Sequence, residues 1–365
     1  MRITFAAVPA YGHVLPLLPL AAAAVEAGHE VALGAGEAFA GQLAARHFSV
    51  VPPGMTLHDA EEEARPEVTD YTDPMAWPTA MFGVVMPRHV VPRLHEDWAR
   101  HGSPDLVVHE ASNIGAAIAA REAGIPSVAF HIALAAPALF VTALRRVADF
   151  PFEVLIDPRP ERWRGTEPAL CQRIPIRSVA WSDTRAIRPE LLNERPTGTT
   201  AYLTMGTVAF GAVEILRRSI LELAERCSRV LVAAGPDSDT TALGELPNHV
   251  SVERFVDQPA ALNWADVAVH HGGTGTVLGC LATGVPQVIT PQGADQFLNA
   301  ARLREVELGY AVPNDAPAGS VGQAVDRLLS DAALGERVGA VQAEIAAMPA
   351  PADVVGRLAD LVRPR

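Results

Sequence analysis

The sequence of 365 residues contains no lysine, so all 29 of its basic side chains are arginines. A primary amine is required for Schiff-base catalysis, for anchoring pyridoxal phosphate and for the lysine of a Walker-A loop. The sequence therefore excludes all three, and its cationic chemistry depends on arginine.

Cysteine is also scarce. Cys171, Cys227 and Cys280 are isolated from one another and odd in number, so they form neither a disulfide framework nor a CxxC metal or redox site. This pattern is typical of a protein of the reducing cytoplasm, where we expect this chain to be located.

An excess of basic charge is absent as well. The 29 basic side chains face 42 acidic ones, which gives a formal net charge of −13. A surface of this sign repels a nucleic acid duplex, so we expect no nucleic-acid partner.

A long apolar run is missing from the N-terminal stretch, where the longest clean run, Val14 to Val25, has twelve residues; a span of the bilayer takes about 20. The apolar stretch after Arg2 looks at first like a signal peptide, but Gly12, His13, Pro16 and Pro19 interrupt it. We therefore predict the opening strand and helix of a folded domain, with no stable membrane insertion.

Short apolar runs alternate with helix-like segments, which predicts βαβ units. In the first half, strands are predicted at 3–8, 30–34, 105–109 and 127–131, a turn at 11–13, and helices at 16–27 and 113–123. In the second half, strands are predicted at 201–205, 230–234, 267–270 and 286–290, and helices at 213–227, 276–282 and 295–306. Strands that are apolar throughout are typical of parallel sheets covered on both faces. The sequence thus predicts an α/β fold of two facing, doubly wound Rossmann-like domains with parallel sheets and a cleft between them.

The segment at 195–198 contains proline and glycine and is predicted to be an interdomain linker. The predicted limits are 1–195 for the first domain, 196–347 for the second, and 348–365 for a tail helix that packs back on the first. Glu61, Glu62 and Glu63 lie in an acidic, proline-rich stretch and are predicted to be in a solvated loop. Regular patterning fades after Pro137.

A glycine-rich turn at 270–276, His-His-Gly-Gly-Thr-Gly-Thr, follows a predicted strand and opens a predicted helix. Ligands of open α/β sheets bind at such points, and free N–H groups at a helix N-terminus attract anions. The spacing matches neither the GxGxxG of dinucleotide oxidoreductases nor a P-loop. We therefore predict a diphosphate site, while from the residues alone a role of the glycines in close helix packing stays open.

Several motifs across the chain are similar to those of one enzyme family. They are Gly12-His13 with Pro16 and the Pro-Leu-Ala at 19–21, Gly-His-Glu-Val at 28–31, Leu-Thr-Met-Gly-Thr at 203–207, the turn at 271–276, Ala-Thr-Gly-Val-Pro at 282–286, Pro-Gln-Gly-Ala-Asp-Gln at 291–296 and Met-Pro-Ala-Pro at 348–351. In this combination the chain resembles the family 1 inverting glycosyltransferases of the GT-B fold, in particular their bacterial natural-product branch.

The resemblance implies that the first domain binds an acceptor and the second a nucleotide sugar. It also implies that His13 is the general base and that Glu110 supports it, although the family usually has an aspartate at this place. The implied diphosphate ligands are His271, Gly272, Gly273, Gly275 and Thr276, and the implied sugar ligands are Asp295 and Gln296. Phe255 and Val256 would line the pocket of the donor's base, and Gly12 and Thr207 would contact other parts of the donor.

These residue types suit transfer of a sugar to a hydroxyl group. The hydroxyl is a poor nucleophile until its proton is removed, and histidine titrates near neutrality, so it can accept that proton. Asp237-Ser238-Asp239 has the DxD pattern of metal-dependent transferases, but it lies in a loop rich in glycine, proline and threonine. Since the helix N-terminus and His271 would already meet the charge of the diphosphate, we expect no metal and no other cofactor.

The expected donor is a dTDP-sugar. In many family members that use UDP-sugars, a glutamate three residues beyond the turn's Ser/Thr binds the ribose hydroxyls, whereas this chain has Gly279 there. The expected acceptor is a small hydrophobic aglycone of secondary metabolism, and the sequence leaves a homodimer open.

Two other functions remain open at the level of the sequence. A nucleotide-sugar epimerase of the same fold would bind the same donor without needing an acceptor cavity. An inactive auxiliary subunit that binds the nucleotide sugar or a partner enzyme would tolerate glutamate at position 110.

Overall fold

The computed structural model of the chain describes residues 1–36, 39, 48–51, 54–73, 75–134, 153–166, 171–181, 189–193, 195–206, 213–235 and 240–362. They form two parallel β-sheets with helices on both faces, which confirms the predicted fold class.

The first sheet has seven parallel strands in the order β3-β2-β1-β4-β5-β6-β7. The strands are β1 (Arg2–Ala6), β2 (Glu30–Gly34), β3 (Ser49–Val51), β4 (Leu106–Glu110), β5 (Ser127–Phe130), β6 (Val154–Asp157) and β7 (Gln172–Pro175). Strand β4 is buried along its whole length, including the polar residues His109 and Glu110 at its carboxyl end. This is the burial expected of a central parallel strand.

The second sheet has six parallel strands in the order β10-β9-β8-β11-β12-β13. The strands are β8 (Thr200–Thr204), β9 (Arg229–Ala233), β10 (Val250–Glu253), β11 (Val267–His270), β12 (Gln287–Ile289) and β13 (Gly309–Ala311).

The described helices connect and cover these strands. They are α1 (Tyr11–Val14), α2 (Leu18–Glu26), α3 (Leu57–Ala64), α4 (Ala76–Pro78), α5 (Met86–His101), α6 (Ile114–Glu122), α7 (Glu161–Arg164), α8 (Val213–Ala224), α9 (Gln258–Trp264), α10 (Thr274–Thr283), α11 (Gln296–Glu305), α12 (Ser320–Ser330), α13 (Ala332–Ala347) and α14 (Pro351–Val362). A π-helix at Thr79–Val85 joins α4 to α5, and 3₁₀ turns lie at Leu15–Leu17, Arg65–Glu67, Glu190–Asn193 and Thr240–Leu243. None of the helices in the described residues has both the length and the hydropathy of a transmembrane span.

The predicted loop around Glu61 to Glu63 is wrong, because these residues lie on α3. Thr56 and Asp59 form a capping box at its start: the Asp59 N–H donates to Thr56 Oγ1 over 3.1 Å and the Thr56 N–H donates to Asp59 Oδ2 over 3.1 Å. The apolar face of α3 packs against the π-helix, with Ala60 and Ala64 buried. A capping box and i, i+4 small residues specify a helix even where acidic residues dominate the composition.

Two further differences concern local structure. The predicted turn at 11–13 is the first turn of a helix, α1, which continues through the 3₁₀ turn into α2. The stretch with fading pattern contains β6 and β7, which are short strands near the edge of the sheet with too few residues for a clear periodicity.

Helix α14 packs on the first domain, although it follows the second domain in the chain. Val354, Val355 and Leu358 are buried in the hydrophobic cluster that contains Leu17 and Leu20 of the first domain. In the opposite direction, Trp163 of α7 is buried in the main cluster of the second domain. Apolar contacts in both clusters therefore join the two domains.

Candidate active site

In each sheet, successive strands are added first on one side of the opening strand and then on the other, and the place where the order reverses is the switch point. Ligands of open α/β sheets bind in the crevice at this point. In the first sheet the switch lies between β1 and β4, where Ala6 is opposite His109. In the second it lies between β8 and β11, where Thr204 is opposite His270. The strand order alone thus locates two candidate half-sites.

His13 and Glu110 meet at the first switch point. His13 follows β1 on α1, Glu110 ends β4, and the His13 Nδ1 lies 3.1 Å from Glu110 Oε1. The Glu110 side chain is 0% exposed, whereas that of His13 is 22% exposed. The carboxylate is therefore enclosed, and the imidazole remains accessible from the cleft.

Backbone N–H groups hold the Glu110 carboxylate in place. Ser112 donates its N–H to Oε2 over 2.7 Å, and Val8 donates its N–H to Oε1 over 3.4 Å. Because the ionised carboxylate only accepts, its contact with His13 requires a proton on Nδ1. The neutral imidazole then has its lone pair on Nε2, the nitrogen that can take a proton from an acceptor hydroxyl.

Aromatic rings surround this pair. The ring of Phe82, from the π-helix, lies 5.8 Å from the His13 ring, and the ring of Tyr11 lies 6.4 Å from that of Phe255 in the second domain. The contact between Tyr11 and Phe255 joins the strand-end loops of the two domains. Gly12 is exposed beside them, and a Cβ there would meet no atom within 4 Å.

His270 has a structural part in the glycine-rich turn. Its Nδ1 accepts from the Gly272 N–H over 3.0 Å, so its proton is on Nε2, which lies 2.9 Å from Gln287 Oε1. Complete burial lowers the pKa of His270 to about 3. The ring is therefore neutral and fixes the path of the turn from within the core.

His271 lies at the start of the glycine-rich turn, and its ring lies against Gly206 and Gly273. A Cβ at Gly206, where φ is +83°, would lie 2.7 Å from the His271 ring, and a Cβ at Gly273 would also clash with it. Burial lowers the pKa of His271 to about 4, and its Nδ1 has no hydrogen-bond partner among the described residues. Glycine at both positions is what allows an imidazole to lie against the backbone here.

The start of α10 offers backbone donors. Gly273 is the N-cap, and within the described residues no protein acceptor lies on the N–H groups of Gly273, Thr274 and Gly275. A Cβ at Gly275 would meet nothing within 4 Å, so this side of the turn is open. Unpaired N–H groups and the positive end of the helix dipole form an anion site.

Thr276 is in the first turn of α10, which begins two residues before the predicted start. Its Oγ1 accepts a hydrogen bond from Gln258 Nε2 over 3.1 Å. Since the oxygen accepts on this side, the hydroxyl proton remains available to a ligand.

The two predicted sugar ligands open α11. Asp295 Oδ2 accepts from Thr274 Oγ1 over 3.2 Å, which ties it to the glycine-rich turn. Gln296 is buried, and its Oε1 accepts from the N–H groups of Gln292 and Gly293 at 2.7 and 3.1 Å. Gln296 therefore uses its side-chain oxygen to hold the preceding loop, and only its side-chain NH₂ group is left for a ligand.

The predicted base-pocket residues differ in exposure. Phe255 is partly exposed beside Tyr11, but the side chain of Val256 is packed in a hydrophobic cluster with Tyr202 and Leu262. Gly279 is buried against the same cluster, since a Cβ there would lie 2.9 Å from Leu262 Cδ1. A larger side chain at this position would require the Leu262 side chain to shift.

Two residues of the site were missed by the sequence analysis: Gln258, whose Nε2 donates to Thr276 Oγ1, and Asn299, whose Nδ2 donates to the Gly272 carbonyl and to Asp295 Oδ2. Asn299 follows Asp295 by four residues, a spacing that places both on one face of a helix and would have been the signal for it. Thr207, Asp237 and Asp239 lie outside the described residues, so the roles predicted for them stay predictions. Among the described residues, no three His, Cys, Asp or Glu side chains lie together as metal ligands would.

Comparison with known proteins agrees with this geometry. Residues 218–361 match the model of the erythromycin biosynthesis protein CIII-like C-terminal domain. The elloramycin glycosyltransferase of Streptomyces olivaceus is 29% identical over 98% of this chain and 97% of its own length. The L-demethylnoviosyl transferase of Streptomyces niveus is 28% identical over 86% of each chain.

Solved structures show the same relationship over the full length. The crystal structure of the glycosyltransferase SsfS6 of Streptomyces sp. SF2575, complexed with thymidine diphosphate, superposes with a TM-score of 0.81 at 25% identity and covers 99% of both chains. The prediction that the chain is a glycosyltransferase of the GT-B fold is confirmed. The chain is a glycosyltransferase of the GT-B fold, similar in sequence to natural-product glycosyltransferases of actinobacteria.

Proposed function

We propose that this enzyme transfers a deoxysugar from a dTDP-sugar to a hydroxyl group of a small hydrophobic aglycone, with inversion at the anomeric carbon. The observation that carries the proposal is the 3.1 Å contact between His13 and Glu110 at the switch point of the first sheet. The glycine-rich turn lies at the switch point of the second sheet. The ring contact between Tyr11 and Phe255 joins the strand-end loops of the two domains.

In the proposed reaction, Nε2 of His13 removes the proton of the acceptor hydroxyl as its oxygen attacks the anomeric carbon. The bond between that carbon and the diphosphate oxygen breaks, and the electron pair leaves with the nucleoside diphosphate. Glu110 holds the imidazole in the required tautomer and stabilises the imidazolium that forms. One displacement inverts the configuration.

The second domain would stabilise the leaving group. Its growing negative charge would be met by the free N–H groups at the start of α10, by the Thr276 hydroxyl and by His271. The free oxygen of Asp295 and the side-chain NH₂ of Gln296 would bind sugar hydroxyls. Phe82, whose ring lies 5.8 Å from that of His13, would contribute an apolar surface for an aglycone.

The function is tested by incubating the protein with a nucleotide sugar and an aglycone. Diphosphate release that depends on the acceptor supports the proposal, whereas isomer formation without an acceptor indicates an epimerase. Absence of both reactions across a panel of donors and aglycones, read by mass spectrometry, indicates an auxiliary subunit.

We expect dTDP to bind at least as tightly as UDP. A ribose-binding glutamate at position 279 would reward UDP through hydrogen bonds worth about 1–3 kcal/mol, or roughly 5- to 150-fold. Gly279 cannot make them, and Leu262 occupies the space such a side chain would need. The related SsfS6 structure holds thymidine diphosphate. Competition calorimetry measures the ratio, and UDP binding tenfold tighter than dTDP would contradict the donor assignment while leaving glycosyl transfer intact.

We also expect turnover to be independent of a metal ion. The helix N-terminus and His271 can meet the diphosphate charge without a cation. Transfer rates should be the same after treatment with a chelator and after addition of Mg²⁺ or Mn²⁺. Strong inhibition by the chelator, reversed by either ion, would assign Asp237 and Asp239 to the donor site.

A further inference from the structure

Asn299 lies one turn into α11, and its side chain is fully buried behind the glycine-rich turn. Its Nδ2 donates to the Gly272 carbonyl over 2.8 Å and to Asp295 Oδ2 over 3.1 Å. Both partners can only accept, so the orientation of the amide is unambiguous, and its two N–H bonds are both used.

The bond to the Gly272 carbonyl fixes the direction of the Gly273 N–H, which belongs to the same peptide group. In a trans peptide the C=O and the following N–H point in opposite directions. When Asn299 holds the Gly272 carbonyl on the buried side, the Gly273 N–H is turned toward the open side of the turn. Gly272 has a φ of +94°, so its backbone needs such an anchor to hold one peptide orientation.

The bond to Asp295 fixes the other half of the donor site. Asp295 Oδ2 accepts from Asn299 and from Thr274 Oγ1 over 3.2 Å, so both bonds converge on one oxygen. The carboxylate is thereby held with Oδ1 away from these donors. A single buried amide is thus bonded both to the diphosphate turn and to the residue placed for the sugar.

We propose that Asn299 is a positioning residue that couples recognition of the donor diphosphate to recognition of the donor sugar. The inference rests on the proposed function, because it assigns the turn to the diphosphate and Asp295 to the sugar. It predicts that both parts of donor binding weaken together when Asn299 loses its two N–H bonds.

The decisive variant is Asn299→Asp, which keeps the shape but exchanges two N–H donors for a carboxylate facing Asp295 and the Gly272 carbonyl. Two carboxylates in contact cannot both ionise at low cost, so the pair should share a proton at lower pH and lose it at higher pH. With the proton bound, one hydrogen bond returns. Donor affinity in this variant should therefore become dependent on pH, which a merely structural loss would not cause.

The probe is dTDP-glucose, measured by calorimetry at pH 6 and pH 8. A terminal phosphate titrates near pH 6, so free dTDP would add a pH dependence of its own, whereas both phosphates of dTDP-glucose are esterified. His270 and His271, which pack against the turn, have pKa values lowered by burial to about 3 and about 4 and stay neutral in this range. Arg302, one turn further along α11, stays charged and pairs with Glu305.

We expect Asn299→Asp to bind dTDP-glucose roughly 10- to 100-fold more weakly than the wild type at pH 8, with about tenfold recovery at pH 6 relative to the wild type. Asn299→Ala should lose affinity at both pH values without this recovery. The matched control is Asn263→Asp on the exposed end of α9, whose Nδ2 bonds only to the Pro259 carbonyl among the described residues; it should behave as the wild type does.

Each outcome decides the matter. Wild-type protein that fails to bind dTDP-glucose would overturn the proposed function together with the inference. Wild-type binding with unchanged affinity in Asn299→Asp at pH 8 would overturn the inference alone. So would an equal loss at both pH values in a variant whose circular dichroism and melting temperature match those of the wild type.

Discussion

Replacing His13 by alanine is expected to lower turnover by roughly 10²- to 10⁴-fold, the usual contribution of a general base, and to leave dTDP affinity nearly unchanged. The imidazole is partly exposed to the cleft, whereas the diphosphate donors lie on the other domain. Its removal should therefore affect the chemical step and not nucleotide binding. Steady-state kinetics and calorimetry on the same preparation measure the two effects.

The control for this variant is His58→Ala. His58 is on α3 with its side chain 76% exposed and contacts only the exposed Glu62 among the described residues, so this change should leave both quantities as they are. Retained turnover in His13→Ala would contradict the assignment of His13 as the general base. A loss of dTDP affinity as large as the loss of turnover would contradict it too.

Replacing Glu110 by glutamine is expected to have an effect nearly as large, up to about 10⁴-fold, the magnitude found when the carboxylate behind a catalytic histidine becomes an amide. The amide oxygen would satisfy the Ser112 N–H, which donates to Oε2 over 2.7 Å. The amide NH₂ would then face His13 and force Nδ1 to accept. The imidazole proton would move to Nε2, where it blocks proton removal from the acceptor.

This change should also alter the pH–rate profile. Without the carboxylate the imidazolium is less stable, so the acidic limb of the profile should move to lower pH. An unaltered profile would mean that His13 works unpaired, contrary to the 3.1 Å contact.

The matched variant is Glu110→Asp, which keeps the charge and introduces the residue usual in the family. Its carboxylate would withdraw by one methylene from His13 and from the N–H of Ser112. We expect an intermediate loss of turnover, because the backbone around this site holds a carboxylate of glutamate length.

Much of the architecture could be predicted from the sequence, because parallel strands and glycine turns have local signatures. The runs at 201–205 and 267–270 are apolar except for Thr204 and His270, as is typical of buried parallel strands, and each proved to be a strand within one residue of its predicted ends. The helix α3 was missed because the acidic composition was interpreted as that of a loop, although the capping box of Thr56 and Asp59 and the small residues Ala60 and Ala64 indicate a helix.

The candidate site is different in kind. The sequence by itself determined the residue types, the glycine-rich turn and the resemblance to glycosyltransferases, since these depend on short runs of neighbouring positions. Only the tertiary structure decided that Glu110 reaches His13 across 97 positions of the chain, that Val256 belongs to the core, and that Asn299 lies behind the turn. Such distances are set by strand order and helix packing. Strand order and helix packing in turn arise because both faces of each sheet are buried at once, and no local segment specifies that burial.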